Sequence, residues 1–174
     1  MSAAPASAFA PAHPASVTAK SRKLPKSGVR QAGIDDLDRI VPLFDAYRQF
    51  YRQPSDIGLA RSFLLERFQN QQSIIFLALD PDGSATGFTQ LYPSFSSASA
   101  KRIYVLNDLF VVPEARGRKI GRALLEAAAE YGRKTGAARL TLSTALDNTT
   151  AQALYESFGW QRDNVFCTYT LPLD

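Results

Sequence analysis

Residues 107–125 read NDLFVVPEARGRKIGRALL and carry the clearest structural pattern of the chain. Its first part, up to Val112, is a short apolar run rich in β-branched and aromatic residues, which predicts a strand that ends at Pro113. Its last part carries apolar residues such as Ile120 and Leu124 at the spacing of an amphipathic helix. We therefore predict a strand, a basic turn and a helix, in that order.

The turn between this strand and this helix is suited to binding an anionic group. Four of the seven residues 116–122 are cationic and two are glycine. The N–H groups that begin a helix have no partner inside it, and the helix dipole is positive there. An ordinary solvated turn is the alternative, but cationic side chains oppose the dipole at a helix N-terminus unless an anion compensates. The sequence favours a site for phosphate or pyrophosphate.

Charge and composition predict one neutral domain that follows a basic tail. The chain has 174 residues and a net charge of +4, and residues 1–28 contain four basic residues and no acidic one. We expect a disordered Ala/Pro/Ser-rich tail over residues 1–28 without a signal-peptide pattern, and a globular domain over residues 29–174. The neutral domain argues against nucleic-acid binding, and its short apolar runs argue against a membrane span.

The single cysteine and the single histidine exclude several kinds of site. Cys167 cannot form an internal disulfide, which fits a cytoplasmic location. His13 lies in the predicted tail, so we expect neither a zinc site nor a nucleophile activated by histidine. We predict that the protein binds no metal.

On both sides of residues 107–125, apolar periodicity predicts a mixed α/β domain. We expect strands at residues 29–32, 73–79, 85–92, 102–112, 139–144, 160–162 and 165–171, and helices at 36–50, 57–69, 117–135 and 150–158. The second and third strands form a hairpin, and residues 93–100 are expected to be a flexible loop. The sheet should be twisted, mixed and mostly antiparallel, with one parallel β-α-β unit and helices on both faces.

A second motif follows, and together the two motifs resemble those of the GNAT superfamily of acyl-CoA-dependent N-acetyltransferases. Residues 148–160 read NTTAQALYESFGW, similar to the N-x-x-A-x-x-[LF]-Y-x-x-x-G-[FW] helix that flanks the cofactor in that family. Residues 116–121 match its pyrophosphate-binding turn, [RQ]-x-x-G-x-[GA], at Arg116 and Gly121, whereas Lys119 stands where the family has glycine. The resemblance covers residues 29–171 and implies a single GNAT-like domain.

By this resemblance the cofactor is acetyl-CoA, and its acetyl group passes to a primary amine by direct attack. Tyr155 is implied to be the general acid at the leaving sulfur, a role that a phenol can fill chemically, and ordinary packing is its alternative role. Backbone N–H groups near residues 110–111 are implied to form the oxyanion hole. The implied cofactor-binding residues are Phe110, Val111, Val112, Arg116, Gly117, Arg118, Lys119, Ile120, Gly121, Arg122, Asn148 and Tyr155.

The sequence leaves open which group takes the proton from the amine. Asn107 and Asp108 are the predicted catalytic-site residues on the central strand, where similar diamine acetyltransferases carry a Glu-Asp pair. Asp108 is either the base or a structural hydrogen-bonding residue, and Asn107, at the position of the glutamate, cannot be the base.

Three aromatic residues, Tyr47, Phe50 and Tyr51, either line a substrate pocket or belong to the core and its rim, and we favour the second interpretation.

Within the superfamily the chain looks most like the yeast-type histone/polyamine and D-amino-acid acetyltransferase group. The segment LYPSFSS at residues 91–97 and the pattern F-x-x-Y-x-L at residues 166–171 carry this likeness. It implies a small-molecule acceptor, an amino acid or a polyamine, and a homodimer with residues 165–171 at its interface. A protein-lysine acetyltransferase and a non-catalytic acyl-CoA-binding module are the alternatives.

Overall fold

A five-stranded sheet organises the residues that the computed structural model describes, which are residues 28–173. Its strands lie in the spatial order β1-β2-β3-β4-β5. The strands are β1 Gly28–Gln31, β2 Ile74–Leu79, β3 Ala85–Ser96, β4 Lys101–Val111 and β5 Leu140–Thr141. The helices are α1 Leu37–Phe50, α2 Ile57–Gln69, α3 Ile120–Lys134 and α4 Thr149–Ser157.

The connections of the sheet follow the predicted pattern. Neighbouring strands from β1 to β4 are antiparallel, whereas β4 and β5 are parallel and are joined through α3. The predicted mixed α/β domain, with a mostly antiparallel sheet and one parallel β-α-β unit, is confirmed. All four predicted helices are present, although α3 begins at Ile120 and not at Gly117. Gly117 and Lys119 have φ values of 75° and 62°, which a right-handed helix cannot contain.

Helices cover both faces of the sheet, because its central strands carry apolar side chains on both sides. On one face, α1 and α2 pack over Leu77, Phe88 and Phe110. On the other face, α3 and α4 pack over residues that include Phe76 and Leu91. We call these the α1/α2 face and the α3/α4 face. In the described part of the chain, no helix is both long enough and apolar enough to cross a membrane.

A one-residue bulge in β4 decides which way the residues of its second half point. Successive residues of β3 pair with Leu106 and Asp108, so Asn107 has no partner on β3. Leu106 packs on the α3/α4 face, whereas Phe110, which follows the bulge, packs on the α1/α2 face. Because strand side chains alternate with a period of two, the extra residue moves Asp108 to the α1/α2 face as well.

β4 pairs with β5 over only a short distance. The paired residues are Tyr104 with Leu140 and Val105 with Thr141, just before the bulge. The strand predicted at residues 139–144 is therefore wrong in length, because β4 no longer offers a partner beyond Val105. The second half of β4 is left with an open edge on this side.

The loop predicted at residues 93–100 is wrong. β3 continues through Pro93 as far as Ser96, and a tight turn at residues 97–100 joins it to β4. β2 pairs with β3 only as far as Leu91. At Pro93 no residue of β2 is present to accept a hydrogen bond, so the N–H that proline lacks is not needed there. Pro93 therefore lies in an edge position, where proline is tolerated.

The strands predicted at residues 160–162 and 165–171 are also wrong. After α4, the described chain up to residue 173 has no regular secondary structure. The two-residue β5 provides almost no edge with which a further strand could pair. Apolar side chains of this segment are exposed as a result, namely Val165, Phe166, Tyr169, Leu171 and Leu173. The predicted tail lies outside the described residues, apart from Gly28, which begins β1.

Candidate active site

A cleft of about 850 Å³ lies where β4 and β5 separate. The second half of β4 forms one wall, and the start of α3 lies at one side. The opposite wall comes from Ser143, Thr144 and the inner side of α4. The β4 residues that line the cleft are Leu106, Asn107, Leu109, Phe110 and Val111. The cleft therefore joins the two sequence motifs, which lie about one helix and one strand apart in the chain.

Most residues predicted to bind a cofactor lie on this cleft. Val112 and Arg118 are the exceptions among the predicted set. Arg118 instead donates two hydrogen bonds to Asp80, at 2.6 and 3.0 Å, in the turn between β2 and β3. The predicted residues on the wall are Phe110, Val111, Arg116, Gly117, Lys119, Ile120, Gly121, Arg122, Asn148 and Tyr155.

The basic turn adopts a backbone conformation that is unusual at Lys119. Lys119 precedes α3 with φ 62° and ψ 14°, in the left-handed region. A side chain with a Cβ atom destabilises this conformation by roughly 1–2 kcal/mol, whereas glycine adopts it freely. The position where the resembled family has glycine therefore has a backbone conformation that favours glycine, as Gly117 of the same turn does. Because α3 starts directly afterwards, its first N–H groups lie at the cleft and lack intrahelical partners.

Two residues of the second motif are positioned by the start and the inner side of α4. Asn148 caps the helix, and its side-chain oxygen accepts a hydrogen bond of 3.2 Å from the Ala151 N–H. Tyr155 is half-buried, and its ring packs against Trp160 with a centroid distance of 6.1 Å. Burial, and then the nearby Tyr51, raises the pKa of Tyr155, so its hydroxyl keeps its proton at neutral pH. The residue thus both packs and presents a possible proton donor to the cleft.

A second cavity of about 390 Å³ lies beside the cleft, at the α1/α2 face. Tyr47, Tyr51 and Asn107 line both spaces and form the boundary between them. Phe50 also lines the cleft, so the pocket-lining interpretation of these three aromatic residues describes them better than the interpretation we favoured from sequence. The remaining residues of the second cavity are Phe44, Arg48, Gln53, Leu59, Phe63, Tyr92 and Asp108.

Asp108 is a buried carboxylate at the wall of this second cavity, and the residue is 2% exposed. Its Oδ2 accepts a hydrogen bond from Gln90 Nε2 at 2.6 Å, and its Oδ1 accepts one from Asn107 Nδ2 at 3.0 Å. Burial raises the pKa of Asp108 above its usual value, and hydrogen bonds from Gln90, Tyr47 and Asn107 offset this only in part. These features fit a proton acceptor, and the hydrogen bonds fit a structural role equally well.

Tyr47 ties α1 to the bulge of β4. Its hydroxyl donates a hydrogen bond of 3.2 Å to the backbone oxygen of Asn107, the residue that has no partner on β3. Burial, and then the charge of Asp108, raises the pKa of Tyr47 far above its usual value, so the phenol stays protonated. The hydroxyl therefore remains a donor, and it donates its single proton to the bulge.

Sequence reasoning did not find Gln90 or Arg48 as site residues. Gln90 is fully buried in β3 and contacts Asp108. A glutamine in the middle of an apolar strand was the available signal for a buried polar partner. Arg48 lies on the mostly apolar α1 and lines the second cavity, and nothing in its local pattern separates it from an ordinary surface arginine.

Comparisons with a family model, with known proteins and with solved structures all identify the same kind of enzyme. The family model described as Acetyltransferase (GNAT) family matches residues 40–160. The chain is 50% identical over 143 residues to an uncharacterized N-acetyltransferase, YhfO, of Bacillus subtilis (strain 168), and the match covers 82% of this chain and 95% of that protein. The crystal structure of a probable acetyltransferase is 44% identical with a TM-score of 0.80, and the match covers 84% of this chain and 97% of that one.

A more distant solved structure has the same fold. It is the aminoglycoside N-acetyltransferase AAC(6')-Iy in complex with CoA, with a TM-score of 0.71 and 19% identity. The match covers 84% of this chain and 95% of that chain. At this identity the likeness concerns the fold alone.

The left-handed backbone at Lys119 gives a test of local strain. We expect Lys119→Gly to raise the free energy of unfolding by up to about 1 kcal/mol, because glycine relieves the left-handed strain while adding some entropy to the unfolded chain. Lys134→Gly is the matched control in the last turn of α3, and it should lower the free energy of unfolding by about 1 kcal/mol. Urea denaturation measures both. An equal loss in the two variants would contradict strain at Lys119.

Proposed function

Because the chain belongs to the GNAT family of acetyltransferases, we propose that it transfers the acetyl group of acetyl-CoA to the primary amine of a small molecule. It is an acetyltransferase, and its proposed acetyl donor is acetyl-CoA. The observation that carries the proposal is the cleft between β4 and β5, which adjoins both the basic turn before α3 and Tyr155 of α4. A second cavity beside this cleft provides space for the amine.

The residues of the cleft fit coenzyme A. The start of α3 offers unpaired N–H groups, and Arg116, Lys119 and Arg122 add positive charge where a pyrophosphate would bind. At the open edge of β4 the backbone N–H of Val111 is available to the pantetheine arm, as an edge strand is to an added strand, whereas Phe110 lines the cleft and its backbone faces β3. When bound, acetyl-CoA supplies the thioester carbonyl that the amine attacks.

The chain's own groups then handle the protons of the reaction. We propose that Asp108 accepts the proton of the ammonium group, directly or through a water molecule, so that the amine becomes a nucleophile. Asn107 acts as a positioning residue, because its side-chain amide donates to Asp108. Backbone N–H groups near Phe110 and Val111 stabilise the charge that develops on the carbonyl oxygen. Tyr155 donates a proton or a hydrogen bond to the departing sulfur.

Three narrower features also belong to this proposal. The likeness to the yeast-type histone/polyamine and D-amino-acid acetyltransferase group, and a cytoplasmic location, stay predictions from the sequence. A homodimer is supported by the exposed apolar segment after α4, which includes Val165 and Tyr169. A monomeric mass in analytical ultracentrifugation at high protein concentration would contradict the homodimer.

The proposed reaction is tested by separating donor binding from acetyl transfer. We expect calorimetry to detect acetyl-CoA binding, and a thiol assay to detect CoA release with an amine from a panel of amino acids, polyamines and lysine peptides. No binding at millimolar acetyl-CoA would overturn the proposed donor. Binding without release across the panel would favour the non-catalytic acyl-CoA-binding alternative, and release with lysine peptides alone would favour the protein-lysine alternative.

The role of Tyr155 predicts a split between turnover and cofactor affinity. Tyr155→Phe should lower kcat by roughly 10²- to 10⁴-fold, because the leaving sulfur loses its proton donor, while the Kd of acetyl-CoA changes little. Steady-state kinetics and calorimetry measure the two quantities. Tyr169→Phe is the matched control, since Tyr169 is exposed and lines neither cavity. Unchanged turnover in Tyr155→Phe would leave packing as its role.

The role of Asp108 predicts a pH dependence. The base must be ionised, so kcat/KM for the amine should fall as pH decreases through the raised pKa of Asp108. Asp108→Asn should lower kcat/KM by roughly 10²-fold or more and remove this acidic limb, as measured in a pH–rate profile. Asp163→Asn, a control at an exposed carboxylate outside both cavities, should keep the limb. An Asp108→Asn variant that keeps the limb would assign Asp108 a structural role.

A further inference from the structure

The second cavity carries an inference about the class of amine, and this inference rests on the function proposed above. We propose that the acceptor is a free amino acid with an apolar side chain, whose ammonium group faces Asp108 and whose carboxylate pairs with Arg48. We call this space the acceptor cavity. Arg48, rather than the acetyl-transfer residues, then determines which amines are accepted.

Arg48 lies near the end of α1, and its side chain is 16% exposed. Its guanidinium group makes no hydrogen bond within residues 28–173, and its Nη1 is buried without a hydrogen-bond partner. A guanidinium carries several N–H donors, and leaving buried donors unpaired is unfavourable. The buried Nη1 lies on the side of Asp45, so a carboxylate bound in the acceptor cavity would pair with the other donors of the guanidinium, Nη2 and Nε, which form a fork of the kind that binds carboxylates.

The nearest acid of α1 does not satisfy Arg48. Asp45 Oδ1 lies 3.6 Å from Arg48 Nη1, which is an ion-pair contact beyond hydrogen-bond distance. The Asp45 carboxylate already accepts hydrogen bonds from α1 and from the segment that joins α1 to α2. It accepts hydrogen bonds from Gln49 Nε2 at 2.8 Å, Ser55 Oγ at 2.7 Å and the Asp56 N–H at 2.8 Å. Asp45 therefore keeps Arg48 in place electrostatically and leaves its donors available.

The charges on the wall of the acceptor cavity match a zwitterion. Among the described residues that line it, Asp108 is the one carboxylate and Arg48 is the one cation. An amino acid presents one group of each sign. A polyamine would bring a second cation toward Arg48, where like charges repel. A lysine side chain of a protein has amide groups around its Cα atom and no free carboxylate for Arg48 to bind.

The uncharged part of the wall selects an apolar side chain. It consists largely of aromatic and aliphatic groups that bury apolar surface favourably, which are Phe44, Tyr47, Tyr51, Leu59, Phe63 and Tyr92. A volume of about 390 Å³ lies within the range of small-molecule sites, and it accommodates a ligand of amino-acid size. Leucine and phenylalanine, in both enantiomers, are therefore suitable probes.

The unmodified enzyme tests the carboxylate requirement through matched acceptors. The panel contains leucine and phenylalanine, their amides, and isoamylamine and phenethylamine, which lack the carboxylate, together with spermidine. We expect kcat/KM to fall roughly 10- to 100-fold when the carboxylate is changed to an amide or removed, as loss of a charged hydrogen-bonded pair implies. Amides, amines or spermidine that react as well as the amino acids would overturn the inference.

A variant assigns the effect to Arg48. Arg48→Gln should raise KM for the amino acid roughly 10- to 100-fold, leave KM for acetyl-CoA unchanged and have little effect on the amides. Calorimetric titration of leucine into enzyme saturated with CoA should show the same loss of affinity without any reaction. Arg52→Gln is the matched control, because Arg52 follows α1 closely, is exposed and lines neither cavity.

The outcomes separate this inference from the proposed function. An Arg48→Gln variant that affects amino acids and amides equally would overturn the inference while acetyl transfer stands. Absence of acetyl-CoA binding, or of CoA release with every amine, would overturn the proposed function and the inference with it. If Arg48→Gln does not fold, as judged by circular dichroism, the acceptor series on the unmodified enzyme decides the question.

Discussion

The bulge at Asn107 in β4 sets the direction of the side chains that form the site. One extra residue interrupts pairing with β3 and reverses the facing of the residues that follow. Without it, Asp108 would point to the same face as Leu106, into the apolar layer under α3, and not toward α1. β4 and β5 also cease to pair at Val105, just before the bulge. The bulge in β4 therefore lies where both the cleft and the acceptor cavity border this strand.

The bulge leaves polar groups inside the protein, and neighbouring residues satisfy them. Tyr47 donates to the backbone oxygen of Asn107, and Gln90 donates to the carboxylate of Asp108. Gln90 Oε1 in turn accepts a hydrogen bond of 2.9 Å from Ser73 Oγ. A buried carboxylate is tolerable only when such donors surround it. The network therefore permits Asp108 to remain at the cavity wall with a raised pKa.

β4 separates two environments that suit the two substrates of the proposed reaction. Its open edge and the start of α3 form a long cleft with basic groups at one side, which suits an anionic, extended cofactor. Its α1/α2 face borders a smaller, aromatic cavity with one carboxylate and one arginine. Asn107, Tyr47 and Tyr51 border both spaces, so a donor and an acceptor would meet at the bulge itself.

Features that depend on neighbours within about one helix or strand could be predicted from the sequence. Apolar periodicity located the four helices, and the strand, turn and helix around Arg116 placed the basic residues at the start of α3. The motif around Tyr155 indicated which helix faces that turn. These patterns are local, because a helix or a hairpin turn is stabilised by residues close in the chain.

Features that depend on distant partners could be seen only in the folded chain. The bulge at Asn107 follows from pairing with β3, and the length of β5 follows from where β4 leaves it. Arg118 pairs with Asp80 across 38 positions of sequence, and Arg48 reaches the acceptor cavity through the packing of α1 on the sheet. Strand pairing and burial are properties of the assembled sheet. The segment at Pro93, predicted as a loop, therefore continues β3, whereas the segment at Val165, predicted as a strand, is exposed chain.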